Sequence, residues 1–80
     1  MDPVTDGSLD PRADAPSLTA REVECIRLAA LGLTTGETAQ RIQVAERTVE
    51  FHLGNAMRKL GAANKLRAVV IALQKKLIDP

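Results

Sequence analysis

Between positions 47 and 59 the chain gathers Arg47, Thr48, Glu50, Phe51, Asn55, Arg58 and Lys59. These side chains donate hydrogen bonds, carry positive charge, or offer one carboxylate and one aromatic ring. No nucleophile stands beside a base, and no Gly-rich phosphate loop or metal-ligand cluster accompanies them. Their chemistry is recognition of an anionic, hydrogen-bonding surface rather than bond breaking. Interleaved with them are Val49, His52, Leu53, Ala56, Met57 and Leu60, spaced i, i+3, i+4, i+7, i+8 and i+11. That spacing predicts a helix over Glu46–Leu60, with a mostly apolar stripe on one side and the reaching residues on the other. A helix of that length spans about 22 Å, and a DNA major groove about 12 Å wide admits one helix.

A reading helix must be held by others, and the flanking sequence supplies them. Thr19-Ala-Arg-Glu22 matches a capping box: the Thr19 hydroxyl accepts from the Glu22 amide, and the Glu22 carboxylate accepts from the Thr19 amide. Leu18 and Val23 occupy the staple positions. Leu18, Cys25, Ile26 and Ala29 make an inward face, and Gly32 stops this first helix. Thr34-Thr-Gly-Glu37 repeats the box and opens a short second helix, Thr35–Ile42, with Ala39 and Ile42 inward. Gln43, Val44 and Ala45 form the turn into the third helix, which Gly61 ends. Asn64 is a good N-cap for a fourth helix over residues 65–76. There Leu66, Val69, Val70 and Leu73 make one stripe, with Ala68, Ile71 and Ala72 beside it. The surplus of apolar surface fits either a dimer face or a wider burial inside the monomer. The expected architecture is all-α, a four-helix bundle with a central helix-turn-helix at about residues 36–55.

Eighty residues make one small domain. Phe51 is the only aromatic residue, so the core must be aliphatic. No run of about 18 apolar residues can span a membrane, and no signal-peptide pattern stands out, so a cytoplasmic setting is expected. A single cysteine, Cys25, makes no internal disulfide and fits a reducing compartment. Residues 1–17 hold three of the four prolines and four aspartates against Arg12, a balance of −3. They are expected to form a disordered acidic tail or linker. Residues 18–80, the expected folded domain, hold ten Lys/Arg against six Asp/Glu, a balance of +4. A basic domain behind an acidic tail fits a polyanionic partner, and ordinary surface charge fits as well.

Leu18-Thr-Ala-Arg-Glu22, Gly32-Leu-Thr34, Glu37-Thr-Ala39, Thr48-Val49, His52-Leu53, Lys59-Leu60-Gly61, Ala63-Asn64-Lys65 and Ala68 together resemble the LuxR-type (GerE/NarL-like) helix-turn-helix domain over residues 18–78. Phe51-His-Leu-Gly-Asn55 is more similar to the quorum-sensing members than to the response-regulator members. The resemblance implies a bacterial transcriptional regulator module that binds double-stranded DNA as a homodimer. It places the third helix in the major groove and the fourth at the dimer contact, through Leu66, Val69, Val70 and Leu73. RNA polymerase is a further implied partner; no cofactor and no small molecule held by this segment are implied. In many relatives a ligand-binding or phosphoacceptor domain comes first, while others are the bare domain, and both cases stay open.

Several residues depart from the family pattern. Ala45 stands where a capping Ser is common, which costs about 1 kcal/mol of helix-end stability. Gln43 stands where Gly is frequent, and a left-handed Gln there is strained by about 1 kcal/mol or more. Thr38 replaces an apolar residue, and its hydroxyl needs a partner if buried. Glu50 and Gly54 stand where basic or amide residues are frequent. Glu50 repels phosphate but can accept from a cytosine N4 amine; Gly54 reaches nothing.

Arg47, Glu50 and Phe51 are the expected base readers. Arg47 can equally meet phosphate or stay solvated, and Phe51 can either meet a thymine methyl or pack partly against the second helix. Thr48 is expected to donate to a phosphate, and Thr34 and Thr35 with the amides opening the second helix are expected to hold another. Asn55, Arg58, Lys59 and Lys65 are expected along the backbone, positioning without reading sequence. His52 falls on the inward stripe as a packed residue, and the resemblance adds a phosphate contact from its edge. Cys25 reads as a buried thiol, because no second cysteine can resolve an oxidised form. The competing class is a protein-interaction module that uses the apolar helix 65–76, with DNA binding weakened or lost. Salt dependence separates the two. Phosphate contacts make log affinity fall steeply with log salt, with Lys59→Ala lowering the slope by about 1; protein interaction leaves it flat.

Overall fold

The computed structural model describes residues 17–79, so the tail expected over residues 1–17 lies, apart from Ser17, outside the described residues. Four helices follow in order: α1 Ala20–Ala30, α2 Thr35–Ile42, α3 Glu46–Leu60 and α4 Lys65–Gln74. Both capping boxes form. The Glu22 amide donates to Thr19 Oγ1 at 3.1 Å and the Thr19 amide to Glu22 Oε1 at 2.9 Å. The Glu37 amide donates to Thr34 Oγ1 at 3.1 Å and the Thr34 amide to Glu37 Oε1 at 2.8 Å.

The turn between α2 and α3 has the geometry the sequence leads one to expect. Gln43 is left-handed at φ 60°, ψ 50°, in the conformation a glycine adopts without strain. Ala45 has the extended N-cap backbone, φ −71°, ψ 152°, but offers no capping side chain. Thr38 is 2% exposed, and no buried side-chain nitrogen or oxygen among the described residues lacks a hydrogen-bond partner. The substitution therefore leaves no orphaned hydroxyl.

α1 packs against both α3 and α4, and α2 packs mainly against α3. The core is aliphatic apart from one thiol. α1 contributes Cys25, Ile26 and Leu28; α2 contributes Ala39 and Ile42; α3 contributes Val49, Leu53, Ala56 and Leu60. Ala29, expected inward, is only partly buried, and Leu28 takes the deeper place.

α4 departs from expectation twice. It ends at Gln74 rather than at residue 76, because Lys76 turns left-handed (φ 58°) and the Leu77 amide donates back to the Ala72 carbonyl at 2.8 Å. That hook brings Ile78, 4% exposed, into the core. Val69 also belongs to the core at 8% exposure, beside Ala68 and Ala72, and not to a free dimer stripe. Successive residues are rotated by about 100°, so Val69 and Val70 cannot share a direction fully. The side centred on Ala72 faces inward, leaving Leu66 73% exposed, and Val70 and Leu73 half-buried.

Candidate nucleic-acid interface

α3 is seated by its stripe: Val49 and Ala56 are fully buried, and Leu53 and Leu60 nearly so. His52 and Met57 lie at the stripe's margins, half-buried. Because one face is fixed this firmly, the opposite face is held out with little freedom to roll. It presents Arg47, Glu50, Phe51, Arg58 and Lys59 as exposed residues, with Thr48, Gly54 and Asn55 half-buried among them. Phe51 is 64% exposed, so it does not take the option of packing against α2. Its ring meets the His52 ring edge-on, with centroids 5.7 Å apart. Arg47 and Glu50 have no ion-pair partner among the described residues. One turn on, Arg58 donates to Asn55 Oδ1.

Lys59 is engaged elsewhere. Its ammonium donates to Glu22 Oε1 at 2.8 Å and to the Ser17 carbonyl at 3.2 Å. Glu22 is 3% exposed, and the same Oε1 accepts from the Thr19 amide. Burial pushes the Glu22 carboxyl up. The hydrogen bonds and charge of Lys59, with the bonds from Thr19, outweigh that and hold it below its usual value. Lys59 thus ties the start of α1 to the end of α3, and the phosphate contact expected of it must compete with a buried carboxylate. The sequence assigned Glu22 only to its cap, and nothing local reveals a partner 37 residues away.

The opening of α2 also differs from the expected phosphate seat. A Cβ on Gly36 would stand 2.7 Å from Glu46 Oε2, so the Glu46 carboxylate already lies against the start of this helix. Glu46 is in the first turn of α3 as well, where Ala45 gives no cap. A negative charge beside two helix N-termini is favourable, and it faces any anion approaching Thr34 and Thr35. Glu46 was missed from sequence; an acid following an uncapped start was the available sign. Lys65 is the half-buried first residue of α4, behind Asn64, whose Oδ1 accepts from the Arg67 amide at 2.8 Å. Cys25 is fully buried, and burial foremost, then Glu24, raises its thiol pKa, which keeps it protonated and unreactive. Among the described residues no cluster of three metal-ligating side chains occurs, and no helix is long and apolar enough to cross a membrane.

A short capped helix, a left-handed turn, and a longer helix with one buried and one presented face make a helix-turn-helix. Residues 16–72 match the family described as bacterial regulatory proteins, luxR family. The chain belongs to the luxR family. It is 48% identical over 63 residues to the transcriptional activator protein VanR of Vibrio anguillarum, covering 79% of this chain and 26% of that protein. It is 44% identical over 73 residues to the quorum sensing-dependent transcriptional regulator VjbR of Brucella abortus (strain 2308), covering 91% of this chain and 28% of that one. The solved structure of the transcription factor GerE is similar with a TM-score of 0.74 at 27% identity, covering 78% of this chain and 92% of that chain. This luxR-family module is therefore an all-α DNA-binding helix-turn-helix domain of the kind found in transcriptional regulators. The chain spans about a quarter of the length of the two curated relatives.

Proposed function

We propose that this domain binds double-stranded DNA as a homodimer, with α3 in the major groove and Arg47, Glu50 and Phe51 at the base edges. One observation carries this reading: those three side chains are exposed together on a helix whose other face is fully seated. Glu50 accepts from a cytosine N4 amine and Phe51 meets a thymine methyl. Thr48, the Asn55–Arg58 pair, the His52 edge and Lys65 contact the sugar-phosphate backbone. Thr34 and Thr35 join them once the Glu46 carboxylate turns aside. The dimer forms through Leu66, Val70 and Leu73, the part of the α4 stripe that the monomer core leaves uncovered.

The relatives extend the reading to the whole protein: a quorum-sensing-dependent, cytoplasmic regulator that acts by binding rather than catalysis and engages RNA polymerase. The test is a mobility-shift selection from random duplexes at moderate salt. A palindrome whose half-site centres lie about one turn apart, roughly 34 Å, is the expected result. A motif recovered only with a dimerising fusion assigns dimerisation to another part of the protein. No motif in either form refutes base reading and leaves the exposed Leu66 side of α4 as a protein-docking face.

A further inference from the structure

We propose that Gly54 is a specificity-determining residue: the bare backbone it leaves beside Phe51 seats the C5-methyl group of one thymine in each half-site. The proposal deepens the DNA-binding reading above and rests on it. At about 100° per residue, Arg47, Phe51, Gly54 and Arg58 point within about 60° of one another, so Gly54 lies in the middle of the presented face of α3. The fold gives no reason for a glycine there. Inside a helix, glycine is destabilising relative to alanine, because it gives up more backbone freedom on folding. A fold requires it where the backbone is left-handed or where another group comes close. Neither holds at Gly54. The glycines with positive φ among the described residues are Gly32 and Gly61, and a Cβ built on Gly54 meets none of their atoms within 4 Å. Gly36 is the contrast, since its Cβ would stand 2.7 Å from Glu46 Oε2. The space at Gly54 is open on the side that α3 presents, and what uses it is the partner of that side.

The chemistry of the gap selects its occupant. Gly54 lies well inside α3, Glu46–Leu60, where each backbone N–H and C=O is bound along the helix, so the bare turn offers no free donor or acceptor. A side chain at this position would lean toward the helix N-terminus, over the turn that carries Phe51. Its absence leaves a flank of the Phe51 ring uncovered, and that residue is 64% exposed. The gap is therefore apolar, with backbone on one side and a phenyl ring on the other. Of the groups that base pairs present in the major groove, the ring N7, the O6 and O4 oxygens and the exocyclic amines are donors or acceptors; the thymine methyl alone is apolar. A polar group pressed into the gap would lose water and gain no partner, whereas the methyl gains by leaving water. Burying one such group is worth about a fourfold gain in affinity.

The experiment uses the full 80-residue chain and its Gly54→Ala variant. The duplex recovered by the selection is prepared with thymine, and again with deoxyuridine replacing one thymine at a time; deoxyuridine keeps every hydrogen-bonding group and lacks only the methyl. The unsubstituted chain should lose about fourfold in affinity at one thymine of a half-site. Gly54→Ala should melt about 2–8 °C higher, because the helix gains and nothing is crowded. It should nevertheless bind the thymine duplex about as weakly as the unsubstituted chain binds the deoxyuridine one, and no longer distinguish the two. Phe51→Ala should narrow the same distinction at the same position, and the double variant should lose little more than either single one, since both act on one seat. An alanine variant that keeps the thymine preference, or strengthens it by meeting the methyl with its own, overturns the proposal. A lower melting temperature overturns it as well, because the fold itself would then need the space. A chain that selects a motif but ignores every thymine methyl overturns the seat and leaves the DNA reading standing; a chain that selects no motif overturns both.

Discussion

Lys59→Met keeps the length and apolar stem of the side chain and deletes its ammonium. Glu22, 3% exposed, then keeps only the bonds from Thr19. Breaking a buried ion pair by removing one partner costs about 3–5 kcal/mol. The Lys59 side chain is 36% exposed, so water screens part of the pair, and the expected loss falls to about 1–3 kcal/mol. For a domain of this size each kcal/mol lowers Tm by about 4–8 °C. Thermal melts followed by circular dichroism at neutral pH should therefore drop by about 5–20 °C. The pH dependence is more discriminating. The Glu22 carboxyl is lowered from 4.5 in the folded protein, so its stabilisation is present above that value and is lost as pH falls through the lowered folded value. Without Lys59, its hydrogen bond and charge no longer hold the carboxyl down, and the folded value rises. Protonation then relieves the variant, and the gap between the two proteins narrows on acidification. A drop below about 2 °C, or a gap that does not change with pH, would refute Lys59 as the tie between α1 and α3. The salt slope of DNA binding gives an independent reading. It should change little in Lys59→Met and fall by about 1 in Lys65→Ala, whose ammonium is placed on the phosphate backbone. The reverse order would return Lys59 to the phosphate backbone.

Ala45→Ser should stabilise the domain by about 1 kcal/mol in urea titrations, since the backbone already has cap geometry and only the hydroxyl is missing. Gln43→Gly should gain up to about 1 kcal/mol by relieving the left-handed backbone, and a loss would show that the Gln side chain supports the turn. Val70→Asp should give a folded monomer by light scattering, whereas Val69→Asp should unfold the domain; a dimer that survives Val70→Asp would place the interface off α4. Phe51→Ala should move stability by no more than about 0.5 kcal/mol, because the ring is exposed, while erasing a preference for thymine in the selected site.

The features legible in the sequence depend on neighbours within about one helical turn. Thr19 with Glu22 and Thr34 with Glu37 close their boxes wherever the helices sit. Gly61 ends α3 with a left-handed residue, and Ala45 leaves an uncapped start, for equally local reasons. The stripe Val49, Leu53, Ala56, Leu60 likewise fixed which side of α3 would be buried, and so which side would be presented.

What only the tertiary structure decided is how each helix is turned about its axis and what it meets. An apolar stripe wider than its contact has no unique inward direction, and α4 was such a stripe; packing against α1 and α3 drew Val69 inward with Ala68 and Ala72 and left Leu66 out. The same packing set Lys59 over Glu22, and the turn of the chain set Glu46 over Gly36. The first joins a side chain the sequence assigns to a phosphate contact with one it assigns to a helix cap; the second brings an acid to which the sequence gave no task against the start of α2. Charged side chains pair with whatever opposite charge or helix end the folded chain brings within about 3 Å, and no local period encodes that distance.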